Sequence, residues 1–220
     1  MIDKITIQHL LPKVFKGMEE TSPIKESMIW EVPSFSFERN SKICLNAESG
    51  GGKSSLLSFI IGLRNDYLGD ILFDNINIKT FDRLKWADIR RYSLAFLPQE
   101  MRLFPELSAI ENIRLKNSLT QNKTNEEIDI LLKRLGIHDR KDYPVGKMSI
   151  GQQQRVAIIR AICQPFDFIF LDEPVSHLDS CNNRIVAEII EEEALKNNAG
   201  IITTSVGNHL LLENPEFVRL

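Results

Sequence analysis

The chain has 220 residues, of which 43% are apolar and 26% are charged, and its formal net charge at pH 7 is −3. This composition is ordinary for a soluble globular protein and gives room for one substantial domain or two small ones. The weak negative charge provides no strong basic field, which argues against nucleic acid as a partner.

Membrane spans, signal peptides and disulfides have no support in the sequence. No apolar run approaches the roughly 18 residues of a membrane-spanning helix, and the N-terminus, MIDKITIQHL, lacks the apolar region of a signal peptide. Cys44, Cys163 and Cys181 are odd in number and have no metal-binding spacing. We therefore expect reduced thiols in a cytosolic protein.

Apolar spacing predicts the elements of the N-terminal part. A polar stretch with Gly and Pro, residues 16–27, is predicted to be a surface loop. Residues 69–78, GDILFDNINI, alternate around Asp74 and Asn75, which is typical of a β-hairpin. The remaining elements are strands at residues 2–7, 28–38 and 43–45 and a helix at residues 54–63.

The second part of the chain is mostly helical in pattern until about residue 165. Residues 126–135 form an amphipathic helix that stops at Gly136. The apolar run FDFIFLDEP at residues 166–174 does not alternate, as expected of a parallel strand buried on both faces. Further predicted elements are helices at residues 152–163 and 184–197 and a buried strand at residues 200–204.

These elements predict an α/β fold with a parallel sheet, an antiparallel β part and an inserted helical subdomain. We expect a single domain over residues 1–220. Its core would consist of residues 1–82 and 166–220, and the helical subdomain would be residues 83–165.

The decisive local pattern is NAESGGGKSS at residues 46–55, between an apolar strand and an apolar helix. Gly52, Lys53 and Ser54 match the end of the phosphate-loop pattern G-x-x-x-x-G-K-[ST], whereas Ala47 occupies the position of its leading glycine. Successive backbone N–H groups and a helix N-terminus favour phosphate. Lys53 would reach the β- and γ-phosphates, and the Ser54 hydroxyl would bind Mg²⁺. The alternative, a flexible linker, rarely lies between two apolar elements.

Two acidic residues, Asp172 and Glu173, follow the buried strand FIFL. Asp172 would hold Mg²⁺ through water, and Glu173 would polarise a water molecule for attack on the γ-phosphate. The alternative is an acidic strand end that caps the next helix. The phosphate loop favours the first interpretation, a P-loop NTPase core.

From residue 46 to residue 205, the order of motifs resembles the nucleotide-binding subunit of ABC-type ATPases. MSIGQQQRVAIIRAI (148–162) is similar to the family signature LSGGQ and its following helix. Gln99 in FLPQ, after the strand Leu94–Leu97, matches the Q-loop glutamine. SHLD (176–179) matches the D-loop, and GDILFDNINI and LSAIENI (107–113) also fit family patterns.

The resemblance implies a head-to-tail dimer in which ATP lies between the phosphate loop of one subunit and the signature of the other. The implied catalytic residues are Glu173, Lys53, Gln99 and Ser205, and the implied Mg²⁺ site comprises Ser54, Gln99 and Asp172. The implied nucleotide contacts are Ser49, Gly50, Gly51, Gly52, Lys53, Ser54 and Ser55, with Ser149, Gly151 and Gln152 of the signature. Phe15 would stack on adenine or is an ordinary core phenylalanine.

Three positions depart from the family pattern. Ala47 replaces the leading glycine of the loop, and Ile150 replaces the first glycine of the signature. Ser205 stands where the family has a histidine, and a hydroxyl cannot supply a cationic imidazolium. His209 either substitutes for it or is a surface histidine, and His177 lies at the dimer interface or in a solvated loop. We therefore expect slow ATP turnover.

The resemblance leaves more than one function open. The first is an ATPase that powers a separate membrane-spanning permease or mechanotransmission subunit, as a peripheral protein on the cytoplasmic face of the inner membrane. A homodimer is favoured, and the closest branch comprises lipoprotein release, macrolide export and cell division. The alternative is a degenerate subunit that binds ATP and dimerises but barely hydrolyses it. A DNA-repair or translation ATPase is disfavoured because 220 residues hold neither long coiled coils nor tandem ATPase units.

Overall fold

A parallel sheet forms the centre of the molecule. The computed structural model describes residues 1–18, 22–48 and 50–220. The strand order of this sheet is β6–β7–β8–β3–β9. Its strands, in that order, are Leu94–Leu97, Phe168–Asp172, Gly200–Ser205, Lys42–Asn46 and Glu216–Arg219. All of them run in the same direction, so their carboxyl ends meet at one edge, where ligands bind in such sheets.

An antiparallel sheet flanks the first one and has the order β2–β1–β4–β5. Its strands are Phe35–Glu38, Lys4–Pro12, Tyr67–Phe73 and Ile76–Asn77. The predicted hairpin is confirmed, because β4 and β5 pair around a turn at Asp74, whose φ is +49°. The mixed α/β class, with one parallel and one antiparallel sheet, is therefore confirmed.

The helices connect these strands. They are α1 (Ser22–Lys25), α2 (Lys53–Ile60), α3 (Arg83–Tyr92), α4 (Ala109–Asn117), α5 (Asn125–Arg134), α6 (Ile150–Ile162) and α7 (Ser180–Asn197). Helices α3 to α7 each begin at a residue whose side chain accepts a hydrogen bond from the first turn. In α4, α5 and α6 the residue before the helix and the third helical residue exchange hydrogen bonds, which satisfies two backbone donors each time. As predicted, α5 ends just before Gly136, whose φ is +62°.

The core lies on both faces of β7, as its apolar sequence predicts. Ile169 and Leu171 pack with helices α4 to α7, while Phe168 and Phe170 pack with α2 and the antiparallel sheet. Each fully buried side chain of this size contributes about 1.5–3 kcal/mol. The strand that ends at Asp172 is therefore among the most firmly anchored elements of the fold.

Several predicted boundaries were wrong. The first strand extends to Pro12, and the predicted loop at residues 16–27 contains the short helix α1. The predicted strand at residues 28–38 begins only at Phe35, because Glu31 has a φ of +55° and the chain turns there. The edge strand β9 was missed, although the turn dipeptide Asn214–Pro215 stands directly before it.

The helical subdomain predicted at residues 83–165 contains one strand of the central sheet. β6 lies within that range and pairs with β7. The division into a core and a helical subdomain therefore remains a proposal, with β6 assigned to the sheet.

In the part of the chain that the structure describes, no helix has both the length and the apolarity to cross a bilayer. All three cysteines are free thiols. Burial raises the pKa of Cys163 to about 12 and also raises the pKa of Cys44, so both buried thiols stay protonated.

Candidate functional site

The glycine-rich loop connects β3 to α2 at the carboxyl edge of the parallel sheet. Gly50 and Gly52 have φ values of +85° and +92°, which side chains other than glycine rarely adopt. A Cβ atom at Gly51 would lie 2.9 Å from the Cβ of Ala47. The methyl of Ala47 is thus accommodated because position 51 is glycine. Ser49, a predicted nucleotide contact, lies outside the described residues.

Lys53 is the first residue of α2 and is almost fully buried. Its Nζ donates hydrogen bonds to the carbonyl oxygens of Ala47 (2.8 Å) and Glu48 (3.0 Å), across the mouth of the loop. Burial lowers the pKa of Lys53, and the negative charges of Glu173 and Asp172 partly oppose this effect. The loop therefore holds a desolvated ammonium group that an anion would stabilise.

Two aromatic rings support the loop from one side. The half-buried ring of Phe15 meets the ring of Trp30 edge to face, with centroids 6.3 Å apart. Phe15 also lies beside Gly52, where an added Cβ would be 3.3 Å from its ring. Phe15 is therefore adjacent to the phosphate loop, and its stacking on adenine stays a prediction. Trp30, which the sequence did not indicate as a site residue, is buried against the loop.

The acidic residues lie at the end of β7, beside β8. Asp172 is buried, and its Oδ1 accepts a hydrogen bond of 2.6 Å from the Thr204 hydroxyl. The same hydroxyl accepts a hydrogen bond of 3.0 Å from the backbone N–H of Glu173. Thr204 thus fixes both acidic positions. Because the pairing of β7 with β8 places Thr204 opposite Asp172, only the sheet register could have revealed this role.

Three of the four predicted catalytic residues, Lys53, Gln99 and Glu173, line one cleft, whereas Ser205 lines a separate groove. The Nε2 of Gln99 donates a hydrogen bond of 3.2 Å to the Oε2 of Glu173. One cleft is lined by Gly50, Gly52, Lys53, Ser54, Ser55, Gln99 and Glu173. The adjoining cleft brings Ser54 and Gln99 together with Asp172. Ser55 also accepts a hydrogen bond of 2.9 Å from Arg64.

The oxygen groups beside the loop suit Mg²⁺. A hydroxyl from Ser54, a carboxylate from Asp172 and an amide from Gln99 line the same cleft. The described ranges contain no group of three or more His, Cys, Asp or Glu side chains that could hold a metal alone. Mg²⁺ is commonly bound by one or two carboxylates together with substrate phosphates, so this donor set fits a shared site.

The signature segment opens helix α6. Ser149 is the exposed N-cap, and its Oγ and the Gln152 side chain each bond the other's backbone N–H, at 3.3 and 2.9 Å. Ile150 is 52% exposed. A Cβ at Gly151 would lie 2.9 Å from the carbonyl oxygen of His177, so glycine permits close packing of α6 on the loop after β7. Ser149 is thus accessible to a neighbouring molecule.

A buried amide links this helix to the catalytic strand. The Nε2 of Gln154 donates to the carbonyl oxygen of Glu173 (3.2 Å), and its Oε1 accepts from the backbone N–H of His177 (3.2 Å). The sequence analysis missed this contact. The available signal was a glutamine on the apolar face of an amphipathic helix, where a buried polar group requires partners.

The residues around Ser205 line a separate groove. Ser205 is buried and donates its hydroxyl proton to Oδ1 of Asn46 at 2.7 Å. His209 lines the same groove, together with Glu48, and its ring meets Phe217 edge to face at 5.4 Å. His209 is therefore near Ser205 rather than remote, and its role remains a prediction.

The D-loop residues are exposed. His177 shares a hydrogen bond of 2.9 Å between its Nδ1 and the Ser176 hydroxyl. Asp179 caps α7 and accepts a hydrogen bond of 2.8 Å from the backbone N–H of Asn182, which lowers its pKa. The backbone carbonyl of His177 lies next to Gly151 of the signature, 2.9 Å from where a Cβ would be.

The chain is similar to several known proteins. The family model described as ABC transporter matches residues 31–176. The ABC transporter ATP-binding protein YtrE of Bacillus subtilis (strain 168) is 31% identical over 195 residues, which are 87% of this chain and 82% of YtrE. The lipoprotein-releasing system ATP-binding protein LolD of Leptospira interrogans is 34% identical over 152 residues, 68% of this chain and 64% of LolD. The dimeric structure of MJ0796, a bacterial ABC transporter cassette, has the same fold, with a TM-score of 0.76 at 23% identity over 98% of this chain and 94% of that one.

Proposed function

Because the chain belongs to the ABC transporter family and is an ATP-binding subunit of that family, we propose that two copies associate head to tail and hydrolyse ATP to drive a separate membrane-spanning partner. One observation carries this proposal. Lys53 and Glu173 line a single cleft, whereas Ser149 lies exposed at the start of another helix and does not line that cleft. Each copy thus offers two complementary parts of a site.

Binding of ATP would rely on groups that already lie close together around the phosphate loop. The loop amides and the N-terminus of α2 attract the phosphates, and Lys53 exchanges its two carbonyl contacts for phosphate oxygens. Ser54, Asp172 and Gln99 would hold Mg²⁺. When bound, Mg²⁺ neutralises negative charge on the β- and γ-phosphates.

Hydrolysis requires a base near the γ-phosphate. Glu173 takes the proton from a water molecule as the water oxygen bonds to the γ-phosphorus, and the bond between that phosphorus and the bridging oxygen of ADP breaks. Gln99, hydrogen-bonded to Glu173, orients the carboxylate. Slow turnover is proposed because Ser205 cannot supply a positive charge and already donates its proton to Asn46.

The second copy would complete the site through its signature. The N-terminus of α6 carries a partial positive charge that favours the γ-phosphate across the interface. ATP would then shift the population toward a closed dimer, and hydrolysis would release it. The signature and the loop of one chain therefore serve different ATP molecules.

Mixing two inactive variants tests this arrangement. Lys53→Met removes the phosphate-binding charge, and Ser149→Arg blocks the signature. In a head-to-tail dimer of one of each, both lesions fall in the same composite site, and the other site is intact. Half of the randomly formed dimers contain one chain of each variant, and one of the two sites in such a dimer is intact. Phosphate release should therefore recover to about one quarter of the parental rate.

The double variant Lys53→Met/Ser149→Arg, mixed with the parent at the same total concentration, is the matched control. In its mixed dimers each of the two sites carries one lesion, so only the parental dimers are active and the rate should be about one quarter of the parental rate, whereas about one half would remain if each chain worked alone. Absence of recovery in the mixture of single variants, with each variant shown to be folded, would contradict the composite site.

The membrane partner is proposed to bind a groove beside Gln99. Its rim has three half-exposed apolar side chains, Phe104, Leu115 and Leu119. Lys116 and Arg160 also line it, and burial lowers the pKa of both. Among the described residues that line the groove, none is acidic. A cytoplasmic segment of the partner with apolar side chains and a carboxylate would complement this surface.

Copurification from membranes tests this contact. Leu115→Glu places a negative charge on the apolar rim and should abolish the recovery of the chain with membranes. Leu195→Glu changes an 83% exposed leucine of α7 and should leave it unchanged. Equal recovery of the two variants would exclude the groove as the docking site. The similarity to LolD, a lipoprotein-releasing system ATP-binding protein, supports a partner from the lipoprotein-release branch. The proposed location is the cytoplasmic face of the inner membrane.

A degenerate subunit that binds ATP and barely hydrolyses it is the second candidate. The observation that favours it is the hydrogen bond from Ser205 to Asn46, which occupies the only proton that Ser205 can donate. The exposed β-branched side chain of Ile150 would also stand between the signature and the nucleotide of the other copy. The two candidates differ in whether Glu173 matters for turnover.

A further inference from the structure

Trp30 contacts the phosphate loop more closely than packing alone requires. Its side chain is 3% exposed, and its Nε1 donates a hydrogen bond of 3.2 Å to the carbonyl oxygen of Gly51. A Cβ atom at Gly52 would lie 2.8 Å from Cζ2 of the indole. The edge of the indole that carries Nε1 and Cζ2 therefore contacts the loop at the two residues that precede Lys53.

The contact between Trp30 and Gly51 also sets the direction of the next backbone N–H group, which belongs to Gly52. The Gly51 carbonyl and the Gly52 N–H belong to one peptide unit, and no described peptide bond is cis. In a trans unit the C=O and N–H point in opposite directions. Holding the carbonyl on Trp30 therefore directs the Gly52 N–H away from the indole. Among the residues that the structure describes, this N–H has no hydrogen-bond acceptor.

We propose that Trp30 is a positioning residue for ATP: its indole N–H fixes the peptide between Gly51 and Gly52 so that the Gly52 N–H faces the phosphates. Without that contact, the two glycines on either side of the bond would let the peptide rotate, because glycine tolerates both signs of φ. The inference rests on the ATP-binding role of the chain and is independent of the dimer and of hydrolysis.

The backbone around Trp30 is itself held in place. The Ser27 hydroxyl accepts hydrogen bonds from the N–H groups of Ile29 (3.0 Å) and Trp30 (2.8 Å). The N–H of Glu31 bonds to the carbonyl of Leu10 on β1, at 3.0 Å. The N–H of Met28 bonds to the carbonyl of Arg219 on β9, at 2.9 Å. The indole is therefore a fixed donor, anchored to both sheets.

The test removes the N–H and keeps an aromatic ring. We expect Trp30→Phe to bind MgADP about three- to ten-fold more weakly by calorimetry, which is the loss of one net hydrogen bond. The chain has two tryptophans, and Trp86→Phe is the matched control because Trp86 packs on Gly62, outside the clefts. The control should bind MgADP within two-fold of the parent. Equal affinities for the two variants would overturn the proposal.

A second variant separates the hydrogen bond from packing. Replacing Trp30 by 3-benzothienylalanine keeps the two-ring shape and substitutes sulfur for the N–H, so the fold is retained. We expect the same loss of MgADP affinity and a smaller MgADP-induced shift of the Gly52 amide resonance than in the parent. A purely structural role predicts parental affinity and a parental shift, and either result would overturn the proposal. Both experiments measure MgADP binding and not phosphate release. Their results can therefore be interpreted even if the hydrolysis proposal is wrong.

Discussion

Glu173→Gln is expected to lower ATP turnover by at least about 100-fold, the lower end of what a general base contributes. The amide of glutamine cannot take a proton from the attacking water. Its oxygen can still accept the hydrogen bond that Gln99 now donates to Glu173, so the geometry of the cleft should persist. ATP binding is therefore expected to remain, and the closed dimer should accumulate. Phosphate release and light scattering in the presence of MgATP measure the two effects.

Glu216→Gln is the control, because Glu216 is an exposed acid on the edge strand β9 and lies in none of the clefts beside the loop. Its turnover should match that of the parent. If the parent itself is slow, and Glu173→Gln changes neither its turnover nor its ATP-dependent dimerisation, the degenerate binding subunit is the correct description. The contrast between Glu173 and Glu216 thus decides between the two candidate functions.

The local patterns in the sequence predicted the parts of the site that depend on neighbouring residues. A phosphate loop is a short run of backbone groups, so Gly52 and Lys53 could be recognised from their own segment. Asp172 was recognisable because an acid directly after a buried apolar strand reaches the edge of the sheet. These residues lie where they were predicted to lie, although their roles remain proposals.

The contacts that orient those residues could not be predicted, because they join segments far apart in the chain. Thr204 reaches Asp172 through the register of two parallel strands. Gln154 reaches the backbone of Glu173 from a helix. The sequence showed a hydroxyl at Ser205, but the partner that accepts its proton, Asn46, lies on β3. Spacing along the chain carries no information on such pairings.

Trp30 shows how a wrong local prediction can conceal a site residue. Alternation at residues 28–38 predicted a continuous strand, in which Trp30 would be one face residue among several. Instead the Ser27 hydroxyl captures two backbone N–H groups and Glu31 adopts a positive φ, so the chain turns. That turn is what brings the indole beneath Gly52.

Lys53→Met is expected to weaken MgATP binding by at least about 10-fold, because each hydrogen bond between charged partners contributes about 1.5–3 kcal/mol. Methionine has a similar length, and it removes a buried ammonium group whose pKa is lowered by burial. A lowered pKa means that the folded state disfavours the charged form. The melting temperature of the nucleotide-free protein should therefore not fall. Calorimetric titration and thermal unfolding measure the two quantities.

The same residue gives the affinity a pH dependence of defined sign. Phosphate favours the ammonium form, so the pKa of Lys53 rises when ATP binds, from a value that burial has lowered in the free protein. The affinity for ATP is therefore highest at pH values below the pKa of Lys53 in the free protein, and it declines as the pH rises through that pKa. Lys53→Met should lack this decline, whereas Lys79→Met, at an exposed lysine paired with Asp70, should retain it. A parental pH profile in Lys53→Met, or a large fall in its melting temperature, would show that Lys53 serves the fold rather than the phosphates.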